Sequence, residues 1–345
     1  MLLETLCNAD GVSGDEDDIR DIIKKAVQPY ADKTETDRLG NIICFREGKN
    51  HDRKIMLSAH MDEVGFIISS VTDSGYLKFK TVGGIDTRVI LGKRIRFRNG
   101  TCGIIGVKAI HLLTKEEEKS VPKVSQLYID IGARDKDEAK KYVSVGDYAC
   151  FDTEYELIGL GRIKAKAVDD RAGCSALVEV MKEKPEFDTY YCFTTQEEVG
   201  LRGSGVCAYR IKPDAALVLE STTCSDVYKT KPSGYVTVCG GGCALSFMDG
   251  ATITDRKLFG CLTKMADEEN ISYQLKKTTA GGNDAGSIHL SAGGILTASV
   301  SLPCRYIHSP AGIADMGDYE AMVSFARAYI KNIGKILNEI ETEEI

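Results

Sequence analysis

The chain has 345 residues, of which 43% are hydrophobic and 28% are charged, and its formal net charge is −7. This composition is typical of a folded globular protein, and the length favours two domains over one. The sequence has no basic tail and no stripe of lysine and arginine, so we expect neither nucleic acid nor an anionic membrane as a partner.

The first predicted elements are a helix and two strands. Ser13 and Glu16 have the spacing of a capping box, and the isoleucines and valine between residues 19 and 27 predict an amphipathic helix after it. Apolar runs at residues 42–45 and 54–59 predict two short buried strands. The second run delivers His60 and Asp62 at its carboxyl end.

The hydrophobic pattern of the sequence changes at about residue 71. Short alternating segments are separated by glycine-containing turn signals up to about residue 161, which is typical of a small antiparallel barrel. The polar stretch 114–119 within it is predicted to be an exposed loop. We therefore expect residues 71–163 to form a β-rich domain inserted into the rest of the chain.

An α/β rhythm returns after the insertion. A helix is predicted to open at Asp169, and apolar strands at residues 190–193 and 215–219 are followed by Glu197, Glu198 and Glu220. A strand at residues 295–302 leads to His308, and a long amphipathic helix closes the chain. Residues 1–70 and 164–345 are thus predicted to form an α/β catalytic domain, a mixed sheet with helices on both faces.

Polar side chains collect at the ends of these strands and at the start of one helix. They are His60, Asp62, Asp169, Glu197, Glu198, Glu220 and His308. Carboxyl ends of strands in an open α/β sheet meet at one edge, where ligands bind. Imidazoles and carboxylates without cysteine suit zinc, cobalt or manganese, and a pair of such ions requires a bridging carboxylate. The sequence therefore predicts two divalent metal ions.

Each of these residues also has a structural interpretation. Adjacent glutamates usually lie on a solvated surface, and a single histidine at a strand end is more often simply hydrogen-bonded. Asp169 or Asp170 can act as a helix N-cap, and Glu220 can bond to the local backbone. Since all of these explanations would have to hold at successive strand ends, the metal site is favoured over their combination.

The twelve cysteines contain no C-x-x-C pair. Cys239 and Cys243 flank three glycines and are a candidate metal or redox pair, but a plain glycine-rich loop is favoured because no histidine is near and the spacing is wrong. The N-terminal residues lack the pattern of a signal peptide, and no apolar run has membrane-spanning length. These features predict a reduced cytoplasmic protein.

Four ordered motifs carry a resemblance to a known family. Residues 58–65 (SAHMDEVG), 168–173 (VDDRAG), 195–200 (TQEEVG) and 305–310 (RYIHSP) resemble the tetrahedral aminopeptidases, a family of glutamyl, leucyl and lysyl aminopeptidases sometimes labelled cellulase M. The loop 280–286 is also similar, although Asn283 stands where the family would have threonine. The likeness spans nearly the whole chain.

The resemblance implies a role for each site residue. Asp169 would bridge two metals, His60 and Glu220 would complete one metal site, and Glu198 and His308 the other. Aspartate is common in the family at the position of Glu220. Glu197 would be the general base, and Asp62 would orient the ring of His60. The inserted β-domain would serve assembly of a homo-oligomer, up to a hollow dodecamer.

The predicted function is metal-assisted release of N-terminal residues from peptides, with a water activated by two metals and Glu197 as base. One alternative keeps the metals but acts on other amides, as a deacylase or carboxypeptidase. A glycosidase would use paired acids, yet it leaves the histidines unexplained and the chain has no tryptophan to stack on a sugar. An inactive assembly scaffold is the remaining alternative.

Overall fold

A large mixed sheet and a smaller closed barrel contain the strands of this computed structural model, which describes residues 1–342. Helices α1–α9 span, in order, Leu2–Asn8, Asp17–Val27, Thr87–Ile90, Lys136–Ala139, Val168–Met181, Arg202–Ile211, Arg256–Glu268, Ala285–Ile288 and Met316–Thr342. Strands β1–β17 span Lys33–Thr36, Ile42–Arg46, Asn50–His60, Gly65–Val71, Leu77–Val82, Arg94–Phe97, Cys102–Gly106, Tyr128–Asp130, Tyr148–Phe151, Glu156–Ile158, Arg162–Ala165, Phe187–Thr194, Ala215–Thr223, Cys243–Leu245, Tyr273–Leu275, Leu296–Arg305 and Gly312–Asp315.

The large sheet has the strand order β1-β2-β12-β3-β13-β16-β17-β11-β10, and β14 and β15 pair off this path beside β16. Its four central strands, β12, β3, β13 and β16, run parallel to one another. Thr194 pairs with His60 and Glu220 with Ser301, so the carboxyl ends of these strands lie along one edge. That edge is where parallel sheets bind ligands.

Helices cover both faces of the large sheet, as the mixed α/β prediction requires. Along β3 the side chains alternate between the two faces, because Ile55 and Leu57 pack in the core that includes α5 and α9 whereas Met56 packs in the core of α6 and α8. The 27-residue α9 buries one apolar face on the sheet side. Within the described residues, no helix is long and apolar enough to cross a membrane.

The barrel closes in the order β4-β5-β8-β7-β6-β9, with every neighbouring pair antiparallel. Its interior is apolar, and Phe66 meets Phe79 and Phe151 edge to face with ring centroids 5.3 and 5.2 Å apart. The barrel strands lie between Gly65 and Phe151, and β10 and β11 belong to the large sheet. The predicted β-barrel insertion in an α/β protein is confirmed, and division of the chain at residues 71 and 163 stays a prediction.

The predicted capping box at the start of α2 is wrong. The helix begins at Asp17 with Glu16 at the N-cap, and no side chain caps it. The hydroxyl of Ser13 instead donates to Asp62 Oδ2 at 2.6 Å, in a buried contact. A buried carboxylate requires a donor of its own, and here it takes the hydroxyl that a local sequence pattern assigns to the helix.

Candidate metal centre

All seven predicted site residues lie close together at one edge of the large sheet. Four strands and the start of one helix position them. His60 is the last residue of β3, Glu197 and Glu198 follow β12, and Glu220 lies within β13. The other members are Asp62 just after β3, Asp169 at the start of α5 and His308 after β16. Residues more than 240 positions apart in the chain are therefore neighbours at one edge of the sheet.

Asp169 lies between the two imidazoles. Its Oδ1 is 3.3 Å from His60 Nε2, and its Oδ2 is 3.2 Å from His308 Nε2. Glu198 Oε1 lies 3.2 Å from His308 Nε2 on one side, and Glu220 Oε2 lies 3.6 Å from His60 Nε2 on the other. One carboxylate thus faces two histidines, and each histidine faces a second carboxylate. This arrangement is the one that a pair of metal ions with a bridging ligand requires.

The charges around the histidines are unbalanced. Burial raises the pKa of Glu220 to about 8, and neighbouring carboxylates add to that effect. Burial lowers the pKa of His308, but hydrogen bonds with Asp169 and Glu198 outweigh it and raise that pKa to about 11. The same balance holds the pKa of His60 well above its usual range, where Glu220 and Glu197 are the largest opposing influences. The site therefore favours positive charge among its carboxylates.

Two buried carboxylate oxygens in the site have no hydrogen-bond donor, which bears on whether the residues fit metal ions. They are Glu220 Oε1 and Asp170 Oδ2. An ionised carboxylate buried without a donor or cation is costly. Ligand atoms of His60, Asp170 and Glu220 lie within 4.8 Å of one another, and so do those of His60, Asp169 and Glu198. Acceptors without donors, clustered around imidazole nitrogens, are what divalent cations coordinate. The residues fit metal ions.

Glu197 lies farther from the histidines than the other acids. Its Oε2 is 4.0 Å from His60 Nε2, and no closer contact joins it to either ring. Burial, followed by repulsion from Glu220 and Asp284, raises the pKa of Glu197 well above its ordinary value, although His60 opposes the shift. A carboxyl group with a raised pKa that is beside a site rather than within it is suited to accept and return a proton.

The carboxylate of Asp62 organises the loop that carries Glu197 and Glu198. Its Oδ1 accepts the backbone N–H of Glu197 at 3.0 Å and its Oδ2 accepts that of Glu198 at 3.2 Å. His60 Nδ1 is 3.0 Å from the backbone carbonyl of Asp62 and 3.5 Å from its carboxylate. Burial raises the pKa of Asp62, but hydrogen bonds from His60 and Ser13 outweigh it and lower that pKa. The ionised Asp62 therefore connects the end of β3, which carries His60, with the loop that carries Glu197 and Glu198.

Asp170 belongs to the site and was not singled out as a ligand from the sequence. Its Oδ1 accepts the N–H of Gly173 at 2.9 Å, as a capping side chain does, and one of its carboxylate oxygens lies within 4.8 Å of ligand atoms of His60 and Glu220. Asp169 and Asp170 both have non-helical backbone angles although they lie inside α5. The cap interpretation thus applies to the second aspartate, and the first is free to face the histidines.

Two further contributions come from distant segments. The backbone carbonyl of Gly84, in a loop of the barrel region, lies 2.9 Å from His308 Nδ1. Asp284 is fully buried and accepts hydrogen bonds from Thr194 and Ser204, each at 2.6 Å. The loop motif at residues 280–286 was a signal for Asp284, whereas a carbonyl group leaves no signature in a sequence.

Known proteins are similar to this chain in sequence and in fold. The model of the M42 glutamyl aminopeptidase family matches residues 40–325. A protein of Acetivibrio thermocellus that is provisionally named an aminopeptidase is 40% identical over 92% of this chain and 94% of its own. The crystal structure of a TET aminopeptidase from a marine sediment Thaumarchaeota archaeon is 36% identical, covers 96% of this chain and 95% of its own, and superposes with a TM-score of 0.92.

A third comparison concerns a protein whose assembly is known. The Pyrococcus horikoshii TET1 peptidase, which can assemble into a tetrahedron or a large octahedral shell, is 31% identical to this chain. The match covers 95% of this chain and 98% of the other, with a TM-score of 0.83. The similarity includes both the large sheet and the barrel.

Proposed function

The chain belongs to the M42 glutamyl aminopeptidase family and is a metal-dependent aminopeptidase, and from this premise we propose a role for each residue of the candidate metal centre. Five residues would hold two divalent metal ions: Asp169 between the two ions, His60 and Glu220 on one side, and Glu198 and His308 on the other. When bound, such ions polarise the scissile carbonyl and lower the pKa of water.

The single observation that supports this assignment is the set of buried acceptors without donors. Glu220 Oε1 and Asp170 Oδ2 have no hydrogen-bond partner, and both residues have a carboxylate oxygen within 4.8 Å of a ring nitrogen of His60. A protein that used these acids only for structure would supply donors, because unsatisfied buried carboxylates are costly. Divalent cations would offset that cost, because the carboxylate oxygens would then act as metal ligands.

Glu197 is the proposed general base. Its Oε2 takes a proton from the attacking water and delivers it to the nitrogen of the leaving amine. Its distance of 4.0 Å from His60 Nε2 leaves that oxygen outside the ligand set, and burial raises its pKa toward the range in which it can exchange a proton. General acid–base catalysis of this kind accelerates reactions by about 10²–10⁴-fold.

Asp62 and Gly84 are proposed as positioning groups. The Asp62 carbonyl beside His60 Nδ1 and the Gly84 carbonyl beside His308 Nδ1 would each accept the ring N–H, which leaves both Nε2 atoms facing Asp169. Hydrogen bonds of this type orient ligating histidines and raise their basicity. The Asp62 carboxylate fixes the base through the backbone of Glu197.

The remaining features of the function are also proposals. We propose zinc, cobalt or manganese as the metals, since nitrogen and oxygen ligands suit all three. We propose that the chain is a homo-oligomer, as the tetrahedral assembly of the Pyrococcus relative suggests, up to a dodecamer, and that the barrel contributes to its contacts. Since the described cysteines are all free, the proposed location is the cytoplasm.

The test compares Glu197→Gln with Glu198→Gln on a panel of aminoacyl-anilides. Glu197→Gln should retain the wild-type metal content while kcat falls about 10²–10⁴-fold, whereas Glu198→Gln should lose metal. Glu183→Gln changes an exposed glutamate and is the control. Full turnover by Glu197→Gln would remove it from the base role.

A second arm tests the reaction itself. Peptides with a free amino terminus should be cleaved, and the same peptides with an acetylated terminus should not. Equal cleavage of both sets would favour a deacylase or another amide hydrolase. Each metal is supplied in turn to the stripped enzyme, so that the same assay identifies which ion supports turnover.

A further inference from the structure

Cys239 lies beside a different cysteine from the one its sequence neighbourhood indicates. Cys243 is in β14, where its thiol donates to the carbonyl of Ser272 at 3.6 Å. The side chain that interacts with Cys239 is instead that of Cys224, the residue that follows β13. The Cys224 Sγ also lies 3.4 Å from the carbonyl oxygen of Thr237, two residues before Cys239. Cys224 therefore lies beside the segment that carries Cys239.

Both cysteines are tied to one carboxylate. Asp226 Oδ1 lies 2.8 Å from Cys224 Sγ, and Asp226 Oδ2 accepts the backbone N–H of Cys239 at 3.2 Å. Arg162 Nη1 donates to Cys239 Sγ. The cluster thus consists of two sulfur atoms, an acid beside one of them and a guanidinium group beside the other.

This environment distinguishes the two sulfur atoms. The hydrogen bond from Cys224 lowers the pKa of Cys239 against the effect of burial, and the charge of Arg162 lowers it further. The pKa of Cys224 is raised, because its hydrogen bond to Cys239, burial and the nearby Asp226 all favour its protonated form. A thiol whose pKa is lowered by a neighbouring guanidinium group and a second thiol is the arrangement found in reactive dithiols. Burial is not what distinguishes Cys239, because Cys7 and Cys304 are also buried and burial raises their pKa.

We propose that Cys224 and Cys239 are a redox-active dithiol that a hydroperoxide converts to a disulfide, and that closing this bond lowers aminopeptidase activity reversibly. The inference goes beyond the proposed hydrolytic function and involves no metal ligand directly. Cytoplasmic disulfides are usually transient and redox-sensing, and this one fits that pattern.

The chemistry requires one peroxide molecule. The Cys239 thiolate attacks a peroxide oxygen, the O–O bond breaks, and the leaving oxygen takes a proton, which gives Cys239 sulfenic acid and one water or alcohol. Cys224 then passes its proton to Asp226, and its sulfur attacks the sulfur of Cys239. The S–O bond breaks, and the departing hydroxide takes that proton as water. Two thiols are oxidised by two electrons, and the peroxide is reduced by the same two.

The dithiol is connected to the metal centre through Asp226. Arg305, at the end of β16, donates to Asp226 from Nε at 2.7 Å and from Nη2 at 2.5 Å. His308 lies three residues after Arg305, and Glu220 lies four residues before Cys224. The N–H of Cys224 also donates to the carbonyl of Cys304 at 3.0 Å. A disulfide would remove the Cys224 contact from Asp226 and thereby shift the segment that carries His308.

The test treats the metal-loaded enzyme with hydrogen peroxide, blocks free thiols with iodoacetamide and maps disulfide-linked peptides without reduction. The expected result is a cross-link between Cys224 and Cys239, loss of two of the twelve thiols and a fall in kcat/KM. Dithiothreitol should restore both thiols and activity. Absence of this cross-link would overturn the dithiol, and a cross-link with unchanged activity would overturn its connection to the metal centre.

Three variants sharpen the test. Cys224→Ser should keep activity under reducing conditions and resist peroxide, and Arg162→Met should keep both thiols but form the cross-link more slowly. Cys102→Ser is the matched control, because Arg94 donates to the Cys102 sulfur at 3.3 Å while none of its hydrogen-bond partners in residues 1–342 is a cysteine. The control should be oxidised and inactivated like the wild type. Peroxide sensitivity that persists in Cys224→Ser would refute the proposal.

Discussion

Two buried clusters of charged residues lie side by side in this enzyme, and the chain builds both from adjacent positions. Asp62 and Asp170 belong to the metal centre, whereas the next residues, Glu63 and Arg171, belong to a second cluster that they form with Lys166. We call this second group the paired cluster. The two differ in whether the protein itself supplies the opposite charge.

In the paired cluster the chain itself supplies the opposite charge. Lys166 Nζ donates to Glu63 Oε1 at 2.6 Å and to the carbonyl of Ala9 at 2.7 Å. Arg171 Nη1 donates to the carbonyl of Leu6 at 2.8 Å, and its Nη2 lies 3.4 Å from the same Glu63 oxygen. Lys166 and Arg171 have no exposed side-chain surface. This cluster fastens the N-terminal segment to the sheet.

The metal centre has the opposite balance. Its carboxylates outnumber its imidazoles, and oxygens of Glu220 and Asp170 have no donor. Buried ionic groups remain stable only when they are paired and hydrogen-bonded. A buried cluster in which carboxylates outnumber the cationic groups is suited to bind cations, whereas a cluster of similar burial whose carboxylate faces a lysine and an arginine of the chain stabilises the fold.

The largest expected effect follows from removing a cation from the paired cluster. Lys166→Met leaves the Glu63 carboxylate with a weakened set of donors, so the free energy of unfolding should fall by about 3–5 kcal/mol. Denaturant unfolding of the metal-free protein measures it. Lys164→Met, two residues away in β11 with a partly exposed side chain, should change stability by less than about 0.5 kcal/mol. Equal effects of the two variants would contradict the comparison.

A smaller effect is expected from a residue that supports the metal centre from a distance. Ser13→Ala removes the donor to Asp62 Oδ2, which also holds the N–H of Glu198. Loss of such a supporting hydrogen bond typically costs about 10–100-fold in metal affinity or activity. Kinetics at saturating and limiting metal separate the two effects. Ser120→Ala, in which an exposed hydroxyl in the barrel region is removed, should match the wild type.

The last prediction is a graded dependence of metal affinity on pH, which requires no change to the chain. Below about pH 8 the raised pKa values of Glu220 and His308 keep both groups protonated in the absence of metal. Ligation requires the deprotonated forms, so binding releases protons and affinity rises with pH, by about tenfold per unit for each proton displaced. Calorimetry in two buffers of different ionisation enthalpy measures the release. Affinity that does not change between about pH 6 and about pH 8 would contradict this assignment.

Much of the fold and of the site could be predicted because the end of a buried strand is marked in the sequence by a change from apolar to polar residues. Apolar runs followed by His60 or Glu220 predict both a strand and a group at its end, and parallel pairing brings those ends together. The role of Ser13 could not be predicted, because a helix cap and a distant carboxylate compete for the same hydroxyl. The carbonyl of Gly84 and the neighbour of Cys239 depend on long-range packing, which spacing does not encode.

The central claim is that the metal centre holds two divalent cations, and metal stoichiometry tests it most directly. After loading with zinc, cobalt or manganese and exhaustive dialysis, elemental analysis should find about two ions per chain. Asp169→Asn replaces one of the two carboxylate oxygens that lie between His60 and His308 with an amide nitrogen, which cannot bind a cation. This variant should retain markedly fewer ions and lose activity. A wild-type chain that retains no ion yet releases N-terminal residues at full rate would contradict the account.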